Sequence, residues 1–324
     1  MPDIMNTLNA TGVGGSTQMT GEKAAEFNHK TLLTRLKPKL QLMNYGQKSN
    51  IPKHAGDLAK WRRFNSLGVS KTAITEGVTP NAVLATVATV SAQVKEYGNW
   101  IMTTDVMDIQ AIDPVMTQYS ELMGENSGES MESITLDIVV AGTNAVYANG
   151  KTATNQIAAT DKISELDVLK IRRAMVRAKV PKIKLPNGKL GYVGFFHTDV
   201  ITDLMQLQAY KDDHHYADPS KMIEGVTAEW HGVYFIEYDL AIKLAGAGAG
   251  GTVDVYQNVV IGKEAFGVPG IEGVNEPELI VKKPGSSGTS DPLNQRGSCG
   301  WKVFFTGVRL QELAIIRYEC AASV

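Results

Sequence analysis

The sequence predicts an α+β fold, with strands and helices mixed and no regular βαβ rhythm. Three observations carry that expectation. Residues 86–105, TVATVSAQVKEYGNWIMTTD, alternate Val90, Ala92 and Val94 with Thr89, Ser91, Gln93 and Lys95, the period of a strand. Asp113-Pro114 then supplies a helix cap and the residue best tolerated at the first helical position, opening a long helical pattern. Beyond residue 189 come strand-like runs: KLGYVGFFH, GVYFIEYD, TVDVYQNVVIG, ELIVKK and a long run from Trp301 to Cys320.

Residues 1–50 are polar and rich in Gly, Thr and Asn before a short helical pattern around Leu32, Leu33 and Leu36. They cannot bury enough apolar surface to fold alone and read as an arm ordered by a neighbour or disordered. LAKWRRFNSLGV, residues 58–69, has strand character and faces the 86–105 run across SKTAITEGVTPNAVLA. The Glu76-Gly77 and Thr79-Pro80 pairs in that connection are turn chemistry. Together they predict a long two-stranded ribbon, which needs either its own domain or another subunit to lie on.

The helix expected from residue 113 carries Val115, Tyr119 and Leu122 as one stripe and Ile134, Ile138, Ala141 and Ala145 as its continuation. Asn149-Gly150 supplies the stop, so an unbroken helix spans on the order of 50 Å. Gly124, Gly128 and Gly142 each weaken it by about 1 kcal/mol relative to alanine, and the alternative is two helices broken near GENSGES. A second helix follows in SELDVLKIRRAMVRAKVPK, where Ser164 and Asp167 form a capping pattern and Val180-Pro181 ends the run. Arg172, Arg173, Arg177 and Lys179 near its carboxyl end read as a solvated face that complements the helix dipole, with a DNA-facing patch as the alternative.

Composition narrows the function classes. A chain of 324 residues can bury a substantial core, and length alone suggests about two domains. The formal charge of −2 argues against a dedicated nucleic-acid binder, which needs a basic face to displace counterions. The first residues show no basic cluster followed by an apolar stretch, and no run of eighteen apolar residues occurs, so a chain neither exported nor membrane-spanning is expected. Cys299 and Cys320 suit a reducing cytoplasm as small buried hydrophobes.

The stretch richest in chemical side chains is KDDHHYADPSK, residues 211–221, with His214 and His215 beside Asp212, Asp213 and Asp218. Adjacent histidines leave a strand or helix in diverging directions, and His29, His54, His197 and His231 have no second ligand at metal spacing. The stretch therefore reads as a solvated loop, and a metal-dependent cytoplasmic enzyme using the pair is the competing class. Gly246, Gly248 and Gly251 in AGAGAGGT match a dinucleotide fingerprint but run into strand-like TVDVYQNVV, so a flexible loop is expected. No catalytic, cofactor-binding or metal residue is assigned.

IPKHAGDLAKWRRF, AITEGVTP, VKEYGNWIMTTD, YQNVVIGKEAFGV and SDPLNQRGSCGWK occur in the order found in a group of tailed-phage major capsid proteins typified by podovirus shells. From about Ile51 onward the chain resembles that group, which shares the Hong Kong 97 capsid fold. The resemblance implies an amino-terminal arm at residues 1–50, an extended loop and its base at 51–110, and a peripheral domain at 111–189 with a spine helix at 113–149. It further implies an axial domain at 190–275 and a return to the peripheral domain at 276–324. Inter-subunit contacts are expected from the extended loop, at Arg62, Arg63, Glu76, Pro80, Lys95 and Tyr97.

The implied function is self-assembly, through hexamers and pentamers, into the icosahedral head shell of a tailed double-stranded DNA phage. Portal, scaffold and decoration proteins are the implied partners, with DNA enclosed in weak contact, no membrane, and assembly in the host cytoplasm before residence in the virion. An encapsulin-like bacterial compartment shares the fold and is the alternative.

Overall fold

The computed structural model describes residues 32, 40–64, 67–77, 79, 81–110, 115–185, 188–214, 228–286 and 291–323. Most of the expected arm, the Asp113-Pro114 cap, Pro80 and the stretch from His215 to Lys221 lie outside the described residues. Strands β1 (Gln47–Ile51), β2 (Leu58–Phe64), β3 (Val87–Gln93) and β4 (Lys95–Thr104) come first, followed by helices α1 (Asp105–Gln110) and α2 (Val115–Val140). Strand β5 (Ala145–Tyr147) leads to α3 (Glu165–Arg177), β6 (Ile183–Lys184), β7 (Leu190–Phe196), α4 (Thr198–Gln206) and α5 (Gln208–His214). The later strands are β8 (Ala228–Trp230), β9 (Val233–Glu237), β10 (Ile242–Leu244), β11 (Val255–Ile261), β12 (Phe266–Ile271), β13 (Glu278–Lys282), β14 (Arg296–Phe305), β15 (Val308–Arg309) and β16 (Ile315–Cys320).

The chain forms two compact units. The first holds Glu96–Met131 and Val274–Phe304, with Leu32; the second holds Gln41–Lys95, Glu132–Gly273 and Phe305–Val324. In the first, β13 and β14 are antiparallel, with Leu279 opposite Trp301 and Val281 opposite Cys299, and β4 lies on β14 as well. Trp301 is buried and donates from its indole Nε1 to Asn126 Oδ1 on α2 at 3.0 Å, satisfying the one polar atom of that ring.

Helix α2 corrects the expected stripe. Its buried face in the first unit is Ser120, Met123, Ser127 and Met131, at helical spacing, whereas Leu122 is exposed. Small and polar side chains let other backbone come close. A Cβ on Gly124 would stand 2.6 Å from the carbonyl oxygen of Leu32, so glycine here trades helix propensity for a close approach. The helix passes unbroken through GENSGES and ends at Val140, nine residues before Asn149. Tertiary partners stop it: the Arg317 guanidinium donates to the carbonyls of Val140 and Gly142 at 2.9 and 3.0 Å, and Thr143 N–H donates to Glu312 at 2.6 Å. The chain then joins β16 in parallel as β5.

In the second unit the sheet order is β5-β16-β11-β7-β9-β8, with β11 antiparallel to both β16 and β7. Strand β7 is buried along Gly191–Phe196, and the Phe196 ring meets Phe235 at 4.9 Å edge-on and Tyr318 at 6.0 Å. Helix α3 covers this core with Val168, Ile171 and Met175, and Ser164 caps it by accepting from Asp167 N–H, as the sequence pattern predicts. Helix α4 adds Val200, Ile201 and Leu204.

The run from Trp301 to Cys320 is not one strand. Strand β14 ends at Phe305, and Leu310 and Gln311 N–H both donate to the Ala265 carbonyl, bending the chain before β16. Residues 47–51, expected in the arm, instead pair in parallel with β12, Ser49 opposite Pro269. No strand pattern announced β12, because FGVPGI contains a proline and two glycines.

Candidate assembly surfaces

The ribbon is a seven-pair antiparallel ladder of β2 and β3, running from Leu58 opposite Gln93 to Phe64 opposite Val87. It is shorter than the twenty-residue arm expected. Val94 is buried and its N–H donates to the Asp57 carbonyl at 2.9 Å, while Gln93 donates to the Asp57 carboxylate at 2.7 Å. These bonds close the base, and the chain continues as β4, which pairs with β14 rather than with β2. Lys95 and Tyr97 therefore belong to β4 and not to the ribbon.

Alternation along β2 gives the ribbon two faces. Ala59 is buried, and the Trp61 indole lies where a Cβ on Gly267 would be 2.9 Å away, so the inner face rests on the second unit. Lys60, Arg62 and Phe64 are exposed on the other face, and Arg63 is exposed too. Among the described residues between Phe64 and Val87 no strand forms, Glu76 is exposed, and Leu67, Val69, Ile74, Val83 and Leu84 stand in solvent, Leu84 at 87 %. Among the described residues, these apolar side chains pack into no core.

Charge is also segregated. Residues 58–94 carry Lys60, Arg62, Arg63 and Lys71 against one acid, Glu76. Residues 96–150 hold no lysine or arginine while carrying Glu121, Glu125, Glu129 and Asp137 along α2. The first unit adds exposed Trp100 and Met102 on β4 and Leu122 on α2.

The other candidates can be placed only where they are described. His214 ends α5, and Asp212 accepts from Gln208 at 2.7 Å; the rest of KDDHHYADPSK is outside the described residues apart from Lys211 and Asp213. Among the described residues, no three His, Cys, Asp or Glu side chains group as metal ligands. His197 caps α4 by accepting from Asp199 N–H, and His54 and His231 occupy left-handed turn positions. The glycine loop is packed rather than loose: a Cβ on Gly248 would fall 2.6 Å from the Ile157 carbonyl, and neighbouring Ala247 and Val253 pack on the buried cluster of Ile157, Val255 and Ala321. Arg172, Arg173 and Arg177 are exposed on α3.

Cys299 and Cys320 are free and buried, in different units. Burial pushes both thiols up, so neither is a ready nucleophile. Denatured particles are expected to run as monomers on gels with and without reductant. A reductant-sensitive ladder would show a crosslink instead.

The fold is that of virus-shell subunits. The chain is similar to the capsid of Ralstonia phage GP4 (TM-score 0.67, 12 % identity, 86 % of this chain and 88 % of that one). It is also similar to the cyanophage Pam1 capsid (0.65, 15 %, 90 % and 92 %) and to the mature capsid of bacteriophage PhiM1 (0.59, 13 %, 85 % and 86 %). No curated protein matches the sequence. A model of the phage capsid protein family matches residues 86–316, and the chain belongs to that family. It is a structural protein of the phage head shell, α+β and of the Hong Kong 97 type, rather than an enzyme.

Proposed function

We propose that the ribbon and its tip, residues 58–94, are the extended loop by which one copy grips the next, and that Arg62, Arg63 and Glu76 lie in that contact. The observation that carries this is the joint display of exposed Arg62, Arg63 and apolar side chains on the ribbon and its tip. Apolar burial holds such a contact, and the exposed cations orient it. Helix α2 takes the part of the spine helix. Sequence around 190–275 takes that of an axial domain at the capsomer centre, and residues 1–40 that of the arm. Pro80, at the tip, joins the same contact, whereas Lys95 and Tyr97 act at its base.

The shell so formed encloses double-stranded DNA with weak contact, is built in the host cytoplasm through hexamers and pentamers, and takes portal, scaffold and decoration proteins as partners. Electron cryomicroscopy of particles from the chain tests the contact. The expected image has the outer face and tip of each ribbon against a neighbouring copy, and an outer face and tip that touch no neighbour would overturn the reading. Nuclease-protected DNA in particles from infected cells separates a phage head from an encapsulin-like compartment, which would hold protein cargo. Reversing Arg62 and Arg63 to glutamate is expected to lower shell yield at least tenfold while leaving the thermal melt within a few degrees, because both side chains are exposed.

A further inference from the structure

Within the second unit, the carboxylate of Glu132 is fully buried on α2. It accepts the backbone N–H groups of Gln41 at 2.8 Å and Leu42 on Oε1, and of Met43 at 3.2 Å on Oε2. These are the first donors of a single-turn 3-10 helix, Leu42–Tyr45, whose own cap residue, Gln41, makes no side-chain cap. Glu132 thus does from ninety residues away what a local Ser or Asp does at most helix starts. The turn is also held by packing: Leu42 is fully buried, the Tyr45 ring meets Phe195 at 5.6 Å, and Phe195 meets Tyr238 at 5.5 Å. Tyr238 in turn borders the carboxylate. Strand β1 begins two residues after the turn, so this is where the first forty residues join the unit.

We infer that Glu132 is a proton-dependent latch on the root of the amino-terminal segment, closed at mildly acidic pH and opening more readily as pH rises toward neutrality. The carboxyl is held between two opposing demands. Burial raises its pKa, and the three N–H groups and Tyr238 pull it back, leaving it at about 7 against an ordinary 4.5. Tyr238 beside the carboxylate and Tyr45 on the turn are both pushed upward by burial and stay neutral across this range, while Glu129 and Asp137 flank it along α2.

The sign follows from linkage. Between about pH 4.5 and pH 7 the closed latch binds a proton that the opened, hydrated carboxyl would release, so the closed state is favoured at the acid end. Its advantage falls as pH rises through that window and is flat above it. Opening means loss of the Gln41, Leu42 and Met43 bonds with the rest of the unit intact, a local event rather than global unfolding.

The test is amide hydrogen exchange of the full chain in peptides covering residues 40–46, corrected for intrinsic rate, from pH 5 to pH 8. The opening constant is expected to rise at least tenfold, with a midpoint between about pH 6 and pH 7.5, while peptides from β11 stay unchanged. In Glu132→Gln the profile is expected to flatten. A pH-independent wild-type opening constant overturns the latch, as does a folded Glu132→Gln chain that keeps the wild-type profile. Should the variant not fold, the wild-type exchange profile alone decides, and a flat profile overturns the inference. The measurement needs no shell, so its outcome is separate from that of the ribbon contact.

Discussion

A chain whose residues 65–86 are replaced by Asn-Gly folds to a soluble subunit and makes no closed shells. Strands β2 and β3 end opposite one another at Phe64 and Val87, the geometry a two-residue turn can close, and Asn-Gly supplies the positive φ angles that such a turn needs. The excised residues include Leu67, Val69, Ile74, Val83 and Leu84, between 59 and 87 % exposed, and none of the described ones is buried. Their removal takes away the apolar surface a neighbour would bury, and five such side chains at about 1.5 kcal/mol or more each exceed what a weak capsomer contact can lose. Sedimentation is expected to show monomers or isolated capsomers, with native-like far-ultraviolet circular dichroism and a cooperative melt. Normal shells would mean that the tip plays no part in assembly. An unfolded chain would mean that the ribbon is core.

Asp167→Ala is expected to be the most damaging single substitution that leaves every surface intact. The carboxylate is fully buried at the start of α3 and accepts from Ser164 Oγ at 2.7 Å, Lys170 Nζ at 3.0 Å, Asn149 N–H at 3.3 Å and the Tyr318 hydroxyl at 3.3 Å. Truncation leaves a buried phenol and a half-buried ammonium without their acceptor, a change that costs about 3–5 kcal/mol. For a unit of this size that lowers the melting temperature by roughly 10 °C. Leu166→Ala, one residue away and exposed, serves as the control and shifts the melt by a degree or two. Equal melts for the two variants would show that the cluster contributes nothing beyond helix capping.

Much of the fold was legible because local signals and tertiary structure agree. Ser164 and Asp167 cap α3 as their spacing requires, and the apolar runs at Leu190, Val233 and Val255 become the central strands. Failures fall where a distant partner decides. Helix α2 turns serine and glycine inward, so hydrophobic periodicity points to Leu122 on the wrong side, and it stops at Val140 because Arg317 takes its last carbonyls. Strand β12 hides behind Pro269, and the ribbon keeps only seven pairs because β4 finds β14. The ribbon's location was readable from alternation and turn residues. Glu132 was not, since nothing in GENSGESMES marks one glutamate as facing inward.

The discontinuity of the two units sets an order of events during synthesis. The first unit waits for β13 and β14, and the sheet of the second waits for β16, which lies between β5 and β11. A ribosome adds roughly 5–20 residues per second, so the ribbon is complete on the order of ten seconds before the surfaces it would grip. A chain cut before β14 lacks the strand on which β4 and β13 lie, and one cut before β16 lacks the strand between β5 and β11. Strands made late in synthesis thus set when each sheet can close.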